Sequence, residues 1–378
     1  MSSTLRCLLS GGQYRDGCVP PESAHRQTAF ADLEPREQED LRQALARFTE
    51  SKRFPGPDSW RPIWVLKKPR SVILLVELGT GGQRLILKRQ RAQAYGASDR
   101  ARDAAAREFE YGQRAQGTAT SAQVFRTPRV LGHYPDLSTD AYEYISGASL
   151  QTILLHAGRF FGSGARRALS LVGRIAEALS SYQESNVQHG GSLDPARLTT
   201  RFAENWRVFS YCYPTLAAPI RTGHLLAWCQ EQWTQLAPED LAPVYCHGDF
   251  GPGNMIATPE GRLIIIDFAS GQIASRLTDA CYFLHQLWRL SLNPIVQREF
   301  AARARLTFSQ HYGASKLLPA ALYRLEAAYC YTAALRRFVR KESQATLLSS
   351  VHDRWLVSAC LRSLRQIIIK GSEQTARL

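Results

Sequence analysis

No stretch of this 378-residue chain approaches the roughly 20 consecutive apolar residues that a membrane-spanning helix needs. The first ten residues hold only the mixed run Leu5-Arg6-Cys7-Leu8-Leu9, too short for the apolar segment of a secretory signal. The eight cysteines are scattered, with no CxxC and no pairing with histidine at metal-ligand spacing. That argues against a disulfide framework or a zinc site and for reduced thiols filling cores in a cytoplasmic protein. Internal repeats and low-complexity tracts are missing. So is a GxGxxG loop, and so is any recognisable nucleic-acid motif. Few acids lie between residues 195 and 245, and they form no dense cluster.

What is present is ordinary in bulk and uneven in charge. With 44% hydrophobic and 21% charged residues the composition is that of a globular protein, long enough for two lobes. The formal net charge is +14. Residues 1–50 carry 6 basic and 8 acidic side chains, residues 51–130 carry 16 and 6, and the remainder carries 25 and 19. A positive field over 51–130 suits a nucleotide, an anionic acceptor or an acidic membrane surface.

The chemistry concentrates in Cys246-His247-Gly248-Asp249-Phe250-Gly251-Pro252-Gly253-Asn254, followed by Leu263-Ile264-Ile265-Ile266 and then Asp267-Phe268. Gly251, Pro252 and Gly253 hold the backbone in a tight turn, so Asp249 and Asn254 can face one cavity. Asp267 ends a β-branched strand thirteen residues after Asn254. Hard oxygen ligands at loop mouths are what Mg²⁺ and phosphate chemistry use. This stretch resembles the HGDxxxxN segment and metal-binding Asp of the aminoglycoside phosphotransferase and choline kinase-like family, a small-molecule branch of the protein-kinase-like fold.

The rest of the chain carries pieces that fit the resemblance in order. Residues 1–34 show little periodicity and read as a loosely docked extension. Leu41, Ala44, Leu45 and Phe48 mark an amphipathic helix over 35–50, ended by a linker at Phe54-Pro55-Gly56-Pro57. Ile63–Leu66, Ser71–Leu78 and Arg84–Lys88 read as three antiparallel strands, turning at Lys67–Arg70 and at Gly79-Thr80-Gly81-Gly82. The resemblance implies that Lys88 grips the α/β-phosphates, and that the 67–70 turn covers them with Ser71 as a contact. An alanine-rich helix over 99–115 offers Glu108 or Glu110 as the partner of Lys88, with Glu108 preferred from its Arg-Glu-Phe-Glu-Tyr context. Ala141–Leu150 resembles the hinge between lobes, where the backbone around Glu143 and Ile145 would meet adenine. Leu277–Leu284 is similar to the segment after the metal ligand, with Asp279 capping a helix and bracing the catalytic loop. It lacks the usual Asp-Pro.

The resemblance implies an α+β, two-lobed protein-kinase-like fold. An extension spans 1–56, an antiparallel-sheet N-lobe 57–144, and a mainly helical C-lobe 145–378. The implied function is Mg²⁺-dependent transfer of a phosphate from ATP, or GTP, to a hydroxyl of a small molecule such as a sugar, an amino alcohol, an antibiotic or a glycan-like compound. Asp249 would be the base and Asn254 and Asp267 the metal ligands, while His247 braces the loop. Scarce acid between 195 and 245 disfavours a polycationic acceptor. The aromatics of that region read first as core. A basic amphipathic helix over 351–369 reads as packed on the C-lobe, with membrane-surface contact as the lesser use. The alternatives are a non-catalytic nucleotide-binding module of this fold and, on charge alone, a nucleic-acid binder.

Overall fold

The computed structural model of the chain describes residues 27–52, 60–79, 82–92, 96–118, 125–159, 163–188, 191–317, 320–341 and 347–375. The first 26 residues, the 54–57 linker and the tip of the turn at 80–81 lie outside them.

Six antiparallel strands build the N-lobe sheet. They are β1 (Gln27–Thr28), β2 (Trp60–Lys67), β3 (Ser71–Leu78), β4 (Gln83–Gln90), β6 (Val130–Tyr134) and β7 (Thr139–Glu143), in the order β1-β2-β3-β4-β7-β6. Within the stretch expected as a loosely docked extension, residues 1–34, strand β1 joins the sheet. Gln27 and Thr28 pair with Leu66 and Val65, so an otherwise open edge of β2 is covered.

Helix α1 (Pro35–Lys52) seals the sheet from one side. Leu41, Leu45 and Phe48 join Val72, Leu74, Val76, Leu85 and Leu87 in one core. The period of two along β4 decides the rest. Leu85 and Leu87 point to the α1 side, and Arg89, next in that row, reaches Asp40 of α1 at 2.8 Å. Just past the strand, Arg91 reaches Glu37 at 2.7 Å. Lys88 and Gln90 point the other way, to helix α2 (Ser98–Thr118). Part of the basic excess of 51–130 is thereby neutralised by the acidic face of α1.

A short hinge leads into the C-lobe. Strands β5 (Phe125–Arg126), β8 (Ala148–Ser149), β10 (Met255–Ala257) and β11 (Leu263–Ile265) form a small mixed sheet, and β9 (Pro243–Cys246) pairs with β12 (Gln272–Ser275). Gly147 has no room for a side chain, since a Cβ would sit 2.5 Å from the Ala257 carbonyl. The lobe's helices are α3 (Leu150–Ala157), α4 (Ala165–Glu184), α5 (Pro195–Cys212), α6 (Pro214–Ala217), α7 (Thr222–Thr234), α8 (Leu277–Ser291), α9 (Arg298–Tyr312), α10 (Ala320–Lys341) and α11 (Leu347–Thr375).

Trp206, Phe209 and Trp228 are buried in a core shared with Val357, Cys360 and Leu364 of α11, so these aromatics and the last helix are packing elements. Among the described residues no helix is long and apolar enough to cross a membrane. The described cysteines are free thiols, all buried but Cys212.

Candidate active site

Lys88 is brought to the cleft by strand alternation and held there by two carboxylates. Its Nζ donates to Glu108 Oε1 at 2.6 Å and to Asp267 Oδ1 at 2.6 Å. Glu108 lies on the buried stripe of α2, with Ala101, Ala104, Ala105 and Ala115. Its second oxygen accepts from Gln90 Nε2 at 2.8 Å. Glu110 faces outward and pairs with Arg114, so Glu108 is the partner of Lys88. Burial pushes the Glu108 carboxyl up, against the pull of Lys88.

Asp267 adopts a left-handed backbone, φ 72°, just past β11. That conformation is uncommon outside glycine but is among those aspartate tolerates. Burial alone would raise its pKa, yet the Lys88 and Lys68 ammoniums hold it well below the usual carboxylate range. Lys68 Nζ stands 3.9 Å from Asp267 Oδ2. Sequence reading located the 67–70 turn but missed Lys68 itself, because nothing in a Lys-Lys-Pro-Arg turn tells which side chain points inward. Ser71, the expected phosphate contact, is buried at the start of β3, where its carbonyl accepts from the Lys68 N–H at 2.8 Å.

Register places Asn254 beside Asp267. Met255 pairs with Ile265 across the β10–β11 hairpin, and the Ile266 N–H donates to the Asn254 carbonyl at 3.0 Å. Both side chains therefore leave the same end of the hairpin. Asn254 Nδ2 donates to the Asp249 carbonyl at 2.9 Å and to Asp249 Oδ2 at 3.1 Å, which leaves its amide oxygen as the donor a cation would use. An ionised carboxylate and an amide oxygen suit Mg²⁺, which completes its octahedron with water and substrate phosphates. Among the described residues no group of three or more His, Cys, Asp or Glu forms a closed metal cage.

Asp249 sits in a loop pinned from below. The Asp279 carboxylate accepts the N–H groups of His247 at 2.7 Å and Gly248 at 2.9 Å. Asp279 lies inside the first turn of α8 and does not cap it, which corrects half of its expected role; the bracing half holds. His247 braces the loop a second way. The Asp249 N–H donates to its Nδ1 at 3.2 Å, so Nε2 carries the proton and donates to the Ile266 carbonyl at 3.0 Å. Gly248, at φ 77°, could not carry a side chain, because a Cβ would lie 2.0 Å from the Ser270 carbonyl.

On the far side of Asp249 stands Tyr282. Its phenol is pushed up to about 12 by burial and by the Asp249 charge. Arg337 Nη1 donates to the Tyr282 hydroxyl at 3.3 Å.

At the hinge, the Glu143 side chain accepts from the Arg129 N–H at 2.9 Å and from Arg129 Nε at 3.0 Å. The Glu143 N–H donates to the Arg129 carbonyl at 3.0 Å. Ile145 follows it, half-buried, in the segment that crosses between the lobes.

A lysine clamped by two carboxylates, beside a pinned Asp-Asn loop and beneath a covering turn, is the cleft of a protein-kinase-like fold. The chain matches the phosphotransferase enzyme family over residues 74–324, and it belongs to that family. It is a phosphotransferase. No curated protein sequence matches it.

Among solved structures it resembles an aminoglycoside phosphotransferase from Alicyclobacillus acidocaldarius, at 14% identity and TM-score 0.53, covering 87% of this chain and 96% of that one. An ethanolamine kinase from Plasmodium vivax gives 11% identity and TM-score 0.53, over 88% and 97%. A choline kinase from Streptococcus pneumoniae gives 13% and 0.53, over 85% and 99%. These likenesses bear on the fold.

Proposed function

We propose that the protein transfers the γ-phosphate of ATP to a hydroxyl group of a small molecule. The nucleotide would lie in the cleft between residues 57–144 and 145–378, its adenine against the hinge at Glu143 and Ile145. The observation that carries this reading is the position of Lys88, 2.6 Å from both Glu108 and Asp267. An ammonium fixed in that way is aimed where α/β-phosphates need a cation. A solved structure of the choline kinase with the same fold is a complex with AMP, which supports nucleotide use here.

In this mechanism Lys88, steadied by Glu108, binds the α/β-phosphates. Lys68 and the backbone near Ser71 cover them. Asn254 and Asp267 would hold Mg²⁺, which would supply charge neutralisation on the phosphate oxygens. Asp249 takes the proton of the incoming hydroxyl and orients its oxygen on the γ-phosphorus. The oxygen–phosphorus bond forms as the bond to the bridging oxygen breaks, and the electron pair leaves with ADP. Asp279 and His247 act through the loop, not on the substrate. ATP as donor and reduced thiols fit a cytoplasmic setting.

The test is nucleotide consumption, with ATP and GTP in parallel, over a panel of sugars, amino alcohols and antibiotics, using Asp249→Asn as the blank. Acceptor-dependent ADP formation absent from the blank is the expected result. The competing reading, a non-catalytic nucleotide-binding module, predicts nucleotide binding with no acceptor-dependent turnover in any arm.

A further inference from the structure

A cavity of about 330 Å³ opens beside the catalytic loop, touching Gly248 next to Asp249. Three arginines from three separate helices line it: Arg107 of α2, Arg201 of α5 and Arg337 of α10. Among the described residues that line it, none carries a carboxylate.

Two of the guanidiniums are fixed by aromatic walls. Arg201 lies over the Tyr329 ring at 5.3 Å and donates to Gln272 Oε1 at 3.1 Å. Arg337 lies over the Tyr282 ring at 5.8 Å. Their neighbours behave differently. Arg102 and Arg114 on α2, and Arg336 on α10, find carboxylates, whereas among the described residues Arg107, Arg201 and Arg337 form no ion pair. Positive charge gathered from three elements, two of the guanidiniums stacked on rings and none closed into an ion pair although Glu326 acts on Arg201 and Asp249 on Arg337 from farther off, is an arrangement that recognises phosphate or carboxylate. The volume is at the small end of ligand pockets and matches a compact metabolite.

We propose that the acceptor is a small hydroxyl compound bearing a phosphate or a carboxylate, seated with its hydroxyl toward Asp249 and its anionic group among Arg107, Arg201 and Arg337. This rests on the phosphotransferase reading above. Cationic amino alcohols and aminoglycosides are rejected by the same charges. In the transfer the acceptor oxygen gains the γ-phosphoryl group, Asp249 takes the proton, and ADP leaves.

Two measurements on the full chain test it. In the first, matched acceptors differing only in charge are compared by kcat/KM: hexose, hexosamine, hexuronate and hexose 6-phosphate, and glycerol, ethanolamine, glycerate and glycerol 3-phosphate. The best substrate is expected among the anionic members, and the uronate and phosphate arms tell which anion is preferred. In the second, the protein loaded with Mg²⁺ and a non-hydrolysable ATP analogue is titrated with inorganic phosphate and with citrate by calorimetry. At least one is expected to bind, and Arg107→Gln, Arg201→Gln and Arg337→Gln each to weaken it about tenfold. Arg107 is exposed, so its variant reports even where another fails to fold.

A best acceptor that is neutral or cationic overturns the proposal. So does the absence of binding by both anions, or binding that all three variants leave unchanged. Failure of the phosphotransferase reading looks different: no nucleotide thermal shift and no consumption with any acceptor, while the anion titration, run without nucleotide, still reports on the cavity.

Discussion

Lys88 and Asp267 stand 179 residues apart in the chain, and their side chains meet at 2.6 Å. The contact joins a strand of the N-lobe to the loop after β11 in the C-lobe, so it spans the cleft. It keeps Asp267 ionised and gives the buried Lys88 ammonium the charge it needs. Replacing Asp267 with Ala is expected to abolish the Mg²⁺-dependent part of the ATP thermal shift and to lower turnover at least a hundredfold or so. Thermal-shift titration of ATP with and without Mg²⁺ checks it, and an undiminished Mg²⁺-dependent shift refutes the ligand assignment.

Asp249→Asn keeps the shape of the loop, since the Asn254 amide can still donate to an oxygen at that position. The proposed proton acceptor is lost. The expectation is a fall in kcat of about 10²- to 10⁴-fold with the nucleotide thermal shift retained. Turnover close to wild type would remove Asp249 from the role of base.

Asp279→Ala leaves two buried backbone donors, those of His247 and Gly248, without their acceptor. Orphaned buried donors cost about 1–3 kcal/mol each, partly offset because burial already disfavours the Asp279 charge. A net loss of roughly 2–4 kcal/mol in urea unfolding is expected, along with a lower kcat. Asp279→Asn, which keeps one acceptor, should recover part of both. A variant as stable and active as wild type would show that the loop is braced by other means.

Helix α1 is predicted to be part of the nucleotide-binding lobe. Leu45 is 1% exposed in the sheet core, so Leu45→Ala should cost about 2–5 kcal/mol. A chain lacking residues 27–52 should lose the ATP thermal shift altogether, because Arg89 and Arg91 lose Asp40 and Glu37 while the sheet loses its cover. An unchanged shift in that truncated chain would make the helix an accessory.

Glu326 gives a pH signature. It is buried on α10, where it accepts from Thr278 Oγ1 at 3.0 Å, and burial lifts its carboxyl from the ordinary 4.5 to about 7. Below 4.5 it is protonated in both folded and unfolded chains, and above 7 ionised in both. Between those limits only the folded chain keeps the proton, so this contribution to stability falls as pH rises, by up to about 3 kcal/mol. Glu326→Gln should flatten that slope relative to wild type in denaturant melts from pH 4.5 to 7. Parallel slopes would mean that the group ionises normally.

The candidate catalytic string and the order of its supports are legible in the amino-acid sequence. His247, Asp249 and Asn254 lie within one loop, and Asp267 follows the second strand of the hairpin that begins there, so local geometry alone brings them near one another. Period-two alternation in β4 separates Lys88 from Arg89. A helical stripe of alanines through Glu108, which Glu110 does not share, was a signal available for choosing between them. Local periodicity follows from backbone geometry, and a sequence displays it directly.

Packing of the lobes settles the rest, namely which distant groups share a space. Lys68 reaches Asp267, and Asp279 reaches back to the loop. Acids of α1 absorb basic charge that had suggested an anionic ligand over 51–130. The arginines without ion pairs, residues 107, 201 and 337, instead gather around the cavity beside Gly248. Such neighbours depend on how lobes and helices come together, and spacing along the chain carries no record of that.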